Sequence, residues 1–406
     1  MTERVLPHLD EDGAARSSPR PRLAIASKGF RPFFLMAAAF AVLILPLWML
    51  ALLGVLDPGH YLEATYWHAH EMVFGFSVAV ISGFLLTAVA NWTKRETLRG
   101  APLLGLSGLW LAGRAAITGA QFLPGWLPAA TDLAFLPALI VILARPLAAA
   151  KSWRNFVIVG ILAALAAANL TIHLDALGIL PGWRRRGSLV AVDIVVLVIL
   201  VIAGRVFPMF TRNATGVKTI RSVPALDALA VMAMAVLVVL DAAFPQVALT
   251  ALVAGVAGIF AAVRTVRWGA HHARKDPLLW ILHVGYAWIP LGLLLRGLSA
   301  ISSAVPASLA THALTVGAIG ALTLGMMARV TLGHTGRLLV ASGWIVAGFA
   351  LITLAAVVRV VAPILAPAYS RAAVFVSGTL WSGAFGSYLA AFAPILVSSR
   401  VDGKAG

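Results

Sequence analysis

Histidines within otherwise apolar segments are the residues of this sequence best suited to do chemistry. His68 and His70 lie two residues apart, His312 lies in a second apolar segment, and His173 follows Asn169 by four residues in a third. Ionisable groups are costly in lipid, so those that occur there usually serve a function. Imidazole is the commonest protein ligand of metals and the usual protein ligand of haem where no thiolate is available.

The other donor groups limit the kind of metal site. The 406-residue chain contains no cysteine, which excludes disulfides, thiolate-ligated haem and cysteine-held iron–sulfur clusters. A metal must therefore be held by histidine, methionine, carboxylate or backbone oxygen. The thioethers of Met72, Met326 and Met327 would favour copper.

Composition identifies the elements that must position these groups. The chain is 61% hydrophobic and 11% charged. Its apolar runs match the roughly 20 residues that a helix needs to cross a bilayer, so we predict an all-α, polytopic membrane bundle of about 12 transmembrane helices. Their predicted centres are Phe40, Ser77, Trp110, Leu136, Leu165, Leu197, Ala233, Val256, Pro290, Thr315, Leu351 and Phe385.

Membrane topology explains the net charge of +16 better than nucleic-acid binding does. Basic residues concentrate in alternate loops, which by the positive-inside rule places both termini in the cytoplasm. The run from Arg184 to Arg186 is a local exception. We predict a disordered basic cytoplasmic tail over residues 1–27, a single transmembrane domain over residues 28–400 and a cytoplasmic tail over residues 401–406.

With this topology, His68, His70, His173 and His312 all lie in the outer half of the membrane. Residues three or four apart share a helix face, so His68 and His70 would point to nearly opposite sides of a regular helix. They would then serve two centres, or one centre and an outer-shell role, unless the backbone unwinds between them. We favour separate roles.

Charged residues near these histidines have more than one interpretation. Arg114 and Asp132 lie at roughly equal distances from the Pro124-Gly125 turn, so a helical hairpin would pair them, although Arg114 could equally meet a haem propionate. Glu71 is a candidate proton donor or a partner that orients an imidazole. It could also simply favour the start of the helix electrostatically.

Glycines follow two of the histidines at the same offsets. His70 and His312 each have a glycine five and thirteen residues later. Glycine beside a ligand would let a flat macrocycle approach. Small residues are also common where membrane helices pack closely.

Four separated motifs extend over nearly the whole chain. They are Lys28-Gly29-Phe30-Arg31-Pro32-Phe33-Phe34, Trp67-His68-Ala69-His70-Glu71-Met72, Gly204-Arg205-Val206-Phe207-Pro208-Met209-Phe210-Thr211, and the segment from His312 to Arg337. Together and in this order they resemble the NnrS family. The resemblance implies a bacterial twelve-helix inner-membrane protein that carries haem and copper and is associated with denitrification and resistance to nitric oxide and nitrosative stress.

The resemblance and the residues lead to one principal expectation. We expect haem b and copper as cofactors and nitric oxide as the ligand, in a multi-pass protein of the cell inner membrane that contacts lipid and binds no nucleic acid. The resemblance carries over His68 and His70 of one motif, and His312 and His334 of another, as ligands. His173 is added by its depth, and Arg114 as a haem contact.

Turnover of nitric oxide would require an external electron donor. The sequence has no cysteine cluster and no flavin or nicotinamide motif, so electrons would come from a quinone or a protein partner. Two alternatives remain at this point. One is a secondary transporter, with Pro208 and Pro290 marking broken helices, and the other is a haem or copper sensor without turnover.

Overall fold

The structure is a computed structural model that describes residues 24–57, 59, 61–244 and 247–404. These residues form helices and contain no β-strand. Twelve helices of the described chain are long, and we number them α1 to α12. Their bounds are α1 Phe30–Leu52, α2 Ala64–Thr93, α3 Ala101–Thr118, α4 Trp126–Ala149, α5 Trp153–Ala176, α6 Arg184–Thr215, α7 Pro224–Ala243, α8 Val247–Val263, α9 Pro277–Ser299, α10 Ala307–His334, α11 Gly343–Leu365 and α12 Ser370–Val397.

Eleven of these helices, among the residues that the structure describes, are long and apolar enough to cross a membrane. The exception is α3, whose 18 residues include the charged Arg114. Asp132 of α4 forms an ion pair with that arginine. Each predicted centre lies within one of the twelve helices, so the prediction of an all-α polytopic membrane bundle is confirmed.

Helices α2, α6 and α10 form the centre of the bundle and are its most buried long helices. Helix α1 packs against α2 and α12, and helices α9 and α11 pack against α10. Helix α6 contacts both α2 and α10. The histidine-bearing segments of α2 and α10 therefore lie in the protein interior, where polar groups can find partners.

Two π-helical segments interrupt the central helices. They are Glu71–Ser77 in α2 and Ala313–Gly320 in α10, and each begins directly after a histidine. The Ser77 hydroxyl donates to the Met72 carbonyl, five residues earlier, over 2.8 Å. Single π-helical turns are frequent at functional sites because they change the direction in which side chains point. The residues after His70 therefore depart from regular α-helical spacing, although the rings of His70 and Phe74 remain in contact, with centroids 5.0 Å apart.

The glycines within these segments serve helix packing. A Cβ added at Gly75 would collide with the ring of Phe40, and one added at Gly317 would collide with Trp288. Each glycine thus lets an aromatic side chain of a neighbouring helix approach the backbone. The hypothesis that these glycines make room for a macrocycle is wrong, because their space is already filled.

The start of α1 is held against the end of α12. Arg31 is buried, and its Nη1 donates to the carbonyl oxygens of Leu396 and Ser398 over 2.9 and 2.6 Å. The Ala24 N–H donates to the Val397 carbonyl over 2.9 Å. Residues 1–23 of the predicted N-terminal tail, and the last two residues of the C-terminal tail, lie outside the described residues.

Candidate functional site

The structure divides the outer histidines into two pairs. His70 of α2 and His173 of α5 share a buried cluster, with their ring centroids 5.3 Å apart. His68 of α2 and His312 of α10 line a separate cavity. This placement is the separation that the spacing of His68 and His70 predicts.

The first pair belongs to what we call the carboxylate–histidine cluster. Nε2 of His70 and Nε2 of His173 lie 3.3 and 2.9 Å from the same atom, Oδ2 of Asp132. One ligand atom from each of these residues lies within 4.8 Å of the others. A metal ion with bonds of about 2.0–2.2 Å would draw them slightly closer. The cluster consists of His70, Glu71, Arg114, Asp132, Asn169 and His173, all buried.

Arg114 joins the two carboxylates of this cluster. Its Nη1 donates to Oε1 of Glu71 over 2.5 Å, and its Nη2 forms an ion pair with Asp132. Gly113 permits this pairing, because its bare Cα lies against the Asp132 side chain. The predicted pairing of Arg114 with Asp132 across the α3–α4 hairpin is confirmed. The cavity beside Arg114 measures about 10 Å³, so the alternative contact with a haem propionate has no room.

Hydrogen bonding accounts for both ring nitrogens of His70. Nδ1 lies 3.0 Å from Oε1 of Glu71, and Nε2 lies 3.0 Å from Oδ1 of Asn169. The Asn169 amide nitrogen donates to Asp132 over 2.6 Å, which turns the amide oxygen toward the imidazole. Both nitrogens of His70 thus face acceptors, and both are satisfied only when each carries a hydrogen.

Tyr61, in the loop before α2, contacts the carboxylate–histidine cluster from outside. Its hydroxyl donates to Nδ1 of His173 over 2.7 Å. Burial raises the pKa of the Tyr61 phenol, so the hydroxyl stays protonated and remains a donor. The Nε2–H of His173 then donates to Asp132 over 2.9 Å. Sequence reasoning missed Tyr61, because a lone tyrosine in a loop has no distinguishing pattern, and it assigned Asp132 as an ion-pair partner alone.

The second pair of histidines lines a cavity of about 650 Å³, which we call the outer cavity and which is lined by residues of α1, α2 and α6–α12. The Trp48 ring stacks on His68, with ring centroids 3.9 Å apart and planes inclined by 17°. Phe76 and Trp381 add further aromatic surface. Nδ1 of His68 is buried and has no hydrogen-bond partner among the described residues. Ligand pockets commonly measure roughly 300–1,000 Å³, so the cavity is large enough for a cofactor.

His312 is oriented for ligation by its own helix. Its Nδ1–H donates to the Ser308 carbonyl over 2.6 Å. This hydrogen bond fixes the tautomer and leaves the lone pair on Nε2, the usual arrangement of a metal-binding histidine. Nη2 of Arg359 lies 3.3 Å from that Nε2 and donates to it. A metal bound at Nε2 would have to displace this guanidinium.

Further charged groups line the outer cavity and were not predicted as site residues. Arg185 and Arg359 present cationic groups to the cavity, together with Asp193, Asp241 and Arg296. The last three form an ion-paired group contributed by α6, α7 and α9. No short sequence motif could reveal it, because its members lie on three different helices.

His334 lies away from both pairs of histidines. It is the last residue of α10, 22 residues after His312 (334 minus 312), a helical rise of about 33 Å. Its ring lies 5.8 Å from that of Phe30, and its carbonyl accepts a hydrogen bond from Arg400. The structure therefore places His334 at the opposite end of the bundle from the outer cavity.

Comparison with known proteins adds one positive finding. A scan against protein families matches the NnrS protein family over residues 24–400. A search of curated proteins found no match. The matched region contains all twelve long helices, the carboxylate–histidine cluster and the outer cavity. Since the family match covers nearly the whole sequence, the chain belongs to the NnrS family.

Proposed function

We propose that this protein binds haem b in the outer cavity and copper at the carboxylate–histidine cluster, and that it acts in the response of the bacterial inner membrane to nitric oxide. Membership of the NnrS family supports the physiological setting. The observation that carries the assignment is that His68 and His312, from facing central helices, line one aromatic cavity of about 650 Å³. The cavity beside Arg114 and Asp132 of the carboxylate–histidine cluster measures only about 10 Å³.

The residues of the outer cavity fit a haem. His312 has a free Nε2 lone pair once Arg359 moves, and His68 has a buried nitrogen without a partner among the described residues. Trp48 and Trp381 offer flat apolar surfaces suited to a macrocycle. The guanidinium groups of Arg359 and Arg185 suit the two propionates, since arginine pairs well with carboxylates.

The carboxylate–histidine cluster fits a copper ion. Imidazole nitrogens suit copper, and the cluster offers His70 and His173 with the carboxylate of Asp132 as a third donor. Tyr61 orients one imidazole from outside the donor set, as metal sites commonly require. Metal binding would displace any hydrogen from the imidazole nitrogens that coordinate the ion. The cluster has no thioether, because Met72 lines the outer cavity instead.

When bound, haem would supply an iron able to bind a small ligand, and copper would supply a one-electron redox centre. Nitric oxide is small and apolar, so it can reach the outer cavity through the bilayer. Glu71 contacts His70 and Arg114 and does not line that cavity. We therefore assign Glu71 the role of orienting an imidazole, and not that of donating a proton to nitric oxide.

Transport and sensing are the competing functions. Pro208 and Pro290 lie within the continuous helices α6 and α9, so they do not form the broken helices of a carrier. A sensor would use the same ligands without turnover. Electron delivery by a quinone or a protein partner would distinguish an enzyme from such a sensor.

The test is an absorption spectrum of the purified protein in detergent after haem-replete expression. Spectra are recorded for the oxidised and dithionite-reduced protein, before and after nitric oxide, with metal analysis of the same sample. We expect a Soret band that shifts with nitric oxide, together with copper. A protein without haem absorbance and without metal would overturn the proposal and favour the carrier.

A further inference from the structure

A buried group of two carboxylates and one guanidinium lies in the wall of the outer cavity. The group consists of Asp193, Asp241 and Arg296, and we call it the acid pair after its two carboxylates. We propose that it binds one exchangeable proton. We further propose that it holds this proton more tightly when negative charge enters the cavity. The second part rests on the proposed function, because it requires a haem in the cavity, whereas the first part does not.

The geometry of the acid pair is compact. Arg296 Nη1 donates to both carboxylate oxygens of Asp193, over 3.1 and 2.9 Å. Arg296 Nη2 donates to Oδ2 of Asp241 over 2.5 Å. The side chain of Asp193 is 2% exposed and that of Asp241 is 11% exposed. One guanidinium therefore holds two carboxylates side by side in a water-poor setting.

The charges of the acid pair do not balance unless a proton is present. Two carboxylates and one guanidinium carry a net charge of −1. Both carboxyl groups accept hydrogen bonds from the same guanidinium, which holds them close together. Two carboxyl groups can share a hydrogen bond only when one of them is protonated, and like charges this close favour a single shared proton.

Among the residues that the structure describes, no charged group other than Arg296 forms an ion pair with Asp193 or Asp241. Helix α8, which packs against α7 and α9, has no titratable side chain from Val247 to Val263. The other titratable and charged groups that face the cavity are Tyr66, His68, Arg185, His312 and Arg359.

The position of the acid pair suits proton exchange with the outer side. Asp241 lies two residues before the end of α7 and Arg296 three residues before the end of α9. Asp193 and Asp241 both line the outer cavity with His68 and His312. A charge that enters this cavity acts on the carboxylates through a medium of low dielectric constant. One electron delivered to the cavity by dithionite would therefore raise the proton occupancy of the acid pair, by up to one proton at a pH where the oxidised protein has lost it.

The first test asks whether the proton exists, whatever the haem content. Infrared spectra of the purified protein in detergent are recorded over a pH series in H₂O and D₂O. We expect a protonated-carboxyl band that shifts in D₂O and disappears in both Asp193→Asn and Asp241→Asn. The two variants test the same proton independently, so misfolding of one leaves the test intact. Asp193→Glu keeps a carboxyl group at this position and should therefore keep the band. A band that persists in both asparagine variants would overturn the inference.

Asp227→Asn is the matched control, because Asp227 of α7 pairs one-to-one with Arg264 over 2.7 Å. A one-to-one pair is neutral without a proton, so this variant should keep the band.

The second test measures coupling to the haem. In a redox titration with dithionite, the haem midpoint potential should fall as pH rises, with a slope approaching about 59 mV per pH unit for one proton per electron. Asp193→Asn and Asp241→Asn should flatten this slope, and Asp227→Asn should not. A slope that the first two variants leave unchanged would overturn the coupling. Absence of haem would instead contradict the proposed function, while the infrared test would still report on the proton.

Discussion

His68 and His70 are separated by one residue in the chain, yet they serve different environments. His68 lines the outer cavity and stacks on Trp48. His70 lies in the carboxylate–histidine cluster, where both of its ring nitrogens face acceptors. Because these two residues share a helix and a depth, variants at the two positions compare the two sites with little change in local backbone structure.

Loss of the Asp132 carboxylate should destabilise the protein. Asp132→Ala leaves Arg114 and the two imidazoles of the cluster without their common acceptor. Removing one partner of a buried ion pair costs about 3–5 kcal/mol of unfolding free energy, so the thermal unfolding temperature in detergent should fall clearly. Asp402→Ala, which removes an exposed partner of Arg400, should leave it unchanged. Equal unfolding temperatures for the two variants would contradict the importance of this ion pair.

Removal of the Tyr61 hydroxyl should weaken metal binding without affecting haem. Tyr61→Phe abolishes the hydrogen bond to Nδ1 of His173. Loss of a group that orients a metal ligand typically lowers metal affinity by about 10–100-fold, which a competition titration with a chelator would measure. Tyr66→Phe is the control, because Tyr66 lines the outer cavity instead. An unchanged affinity in Tyr61→Phe would show that Tyr61 does not support the metal.

The raised pKa of Tyr61 predicts that the unfolding free energy depends on pH in the alkaline range. Burial raises the pKa of Tyr61, so at pH values above about 10 the phenol ionises in the unfolded chain before it ionises in the folded one. The contribution of Tyr61 to the unfolding free energy is therefore complete below that pH and is lost as the pH rises further. The stability deficit of Tyr61→Phe relative to the wild type should shrink above pH 10, as measured by denaturant unfolding. A constant deficit would contradict this assignment.

Glycine at the π-helical segments should be required for packing. Gly317→Ala places a methyl group against Trp288, close to the Trp288 backbone where the side chain has little freedom to move. Overpacking of this kind costs about 1–3 kcal/mol. Gly108→Ala in α3 meets no atom within 4 Å, so higher helix propensity should leave that variant as stable as the wild type or more so. If both variants unfold at the wild-type temperature, the packing role of Gly317 is wrong.

Much of the fold can be predicted from the sequence because bilayer thickness fixes the length of an apolar helix. The Arg114–Asp132 pair was also predictable, since both residues flank one short turn and neither charge is stable alone in the bundle. The rotation of each helix about its own axis is harder to predict, because it depends on packing against neighbours that lie far apart in the chain. Periodicity therefore could not predict the π-helical turn after His70 or the ion pair between Asp193 and Arg296.

The separate roles of the two neighbouring histidines are the central claim, and cofactor analysis of two variants tests it most directly. Haem and copper are quantified in purified wild-type protein, His68→Ala and His70→Ala. His283→Ala is the control, because His283 bonds Thr211 away from both sites. The account predicts that His68→Ala loses haem and retains copper, whereas His70→Ala loses copper and retains haem. Joint loss of both cofactors in each folded variant, or the reverse pattern, would contradict it.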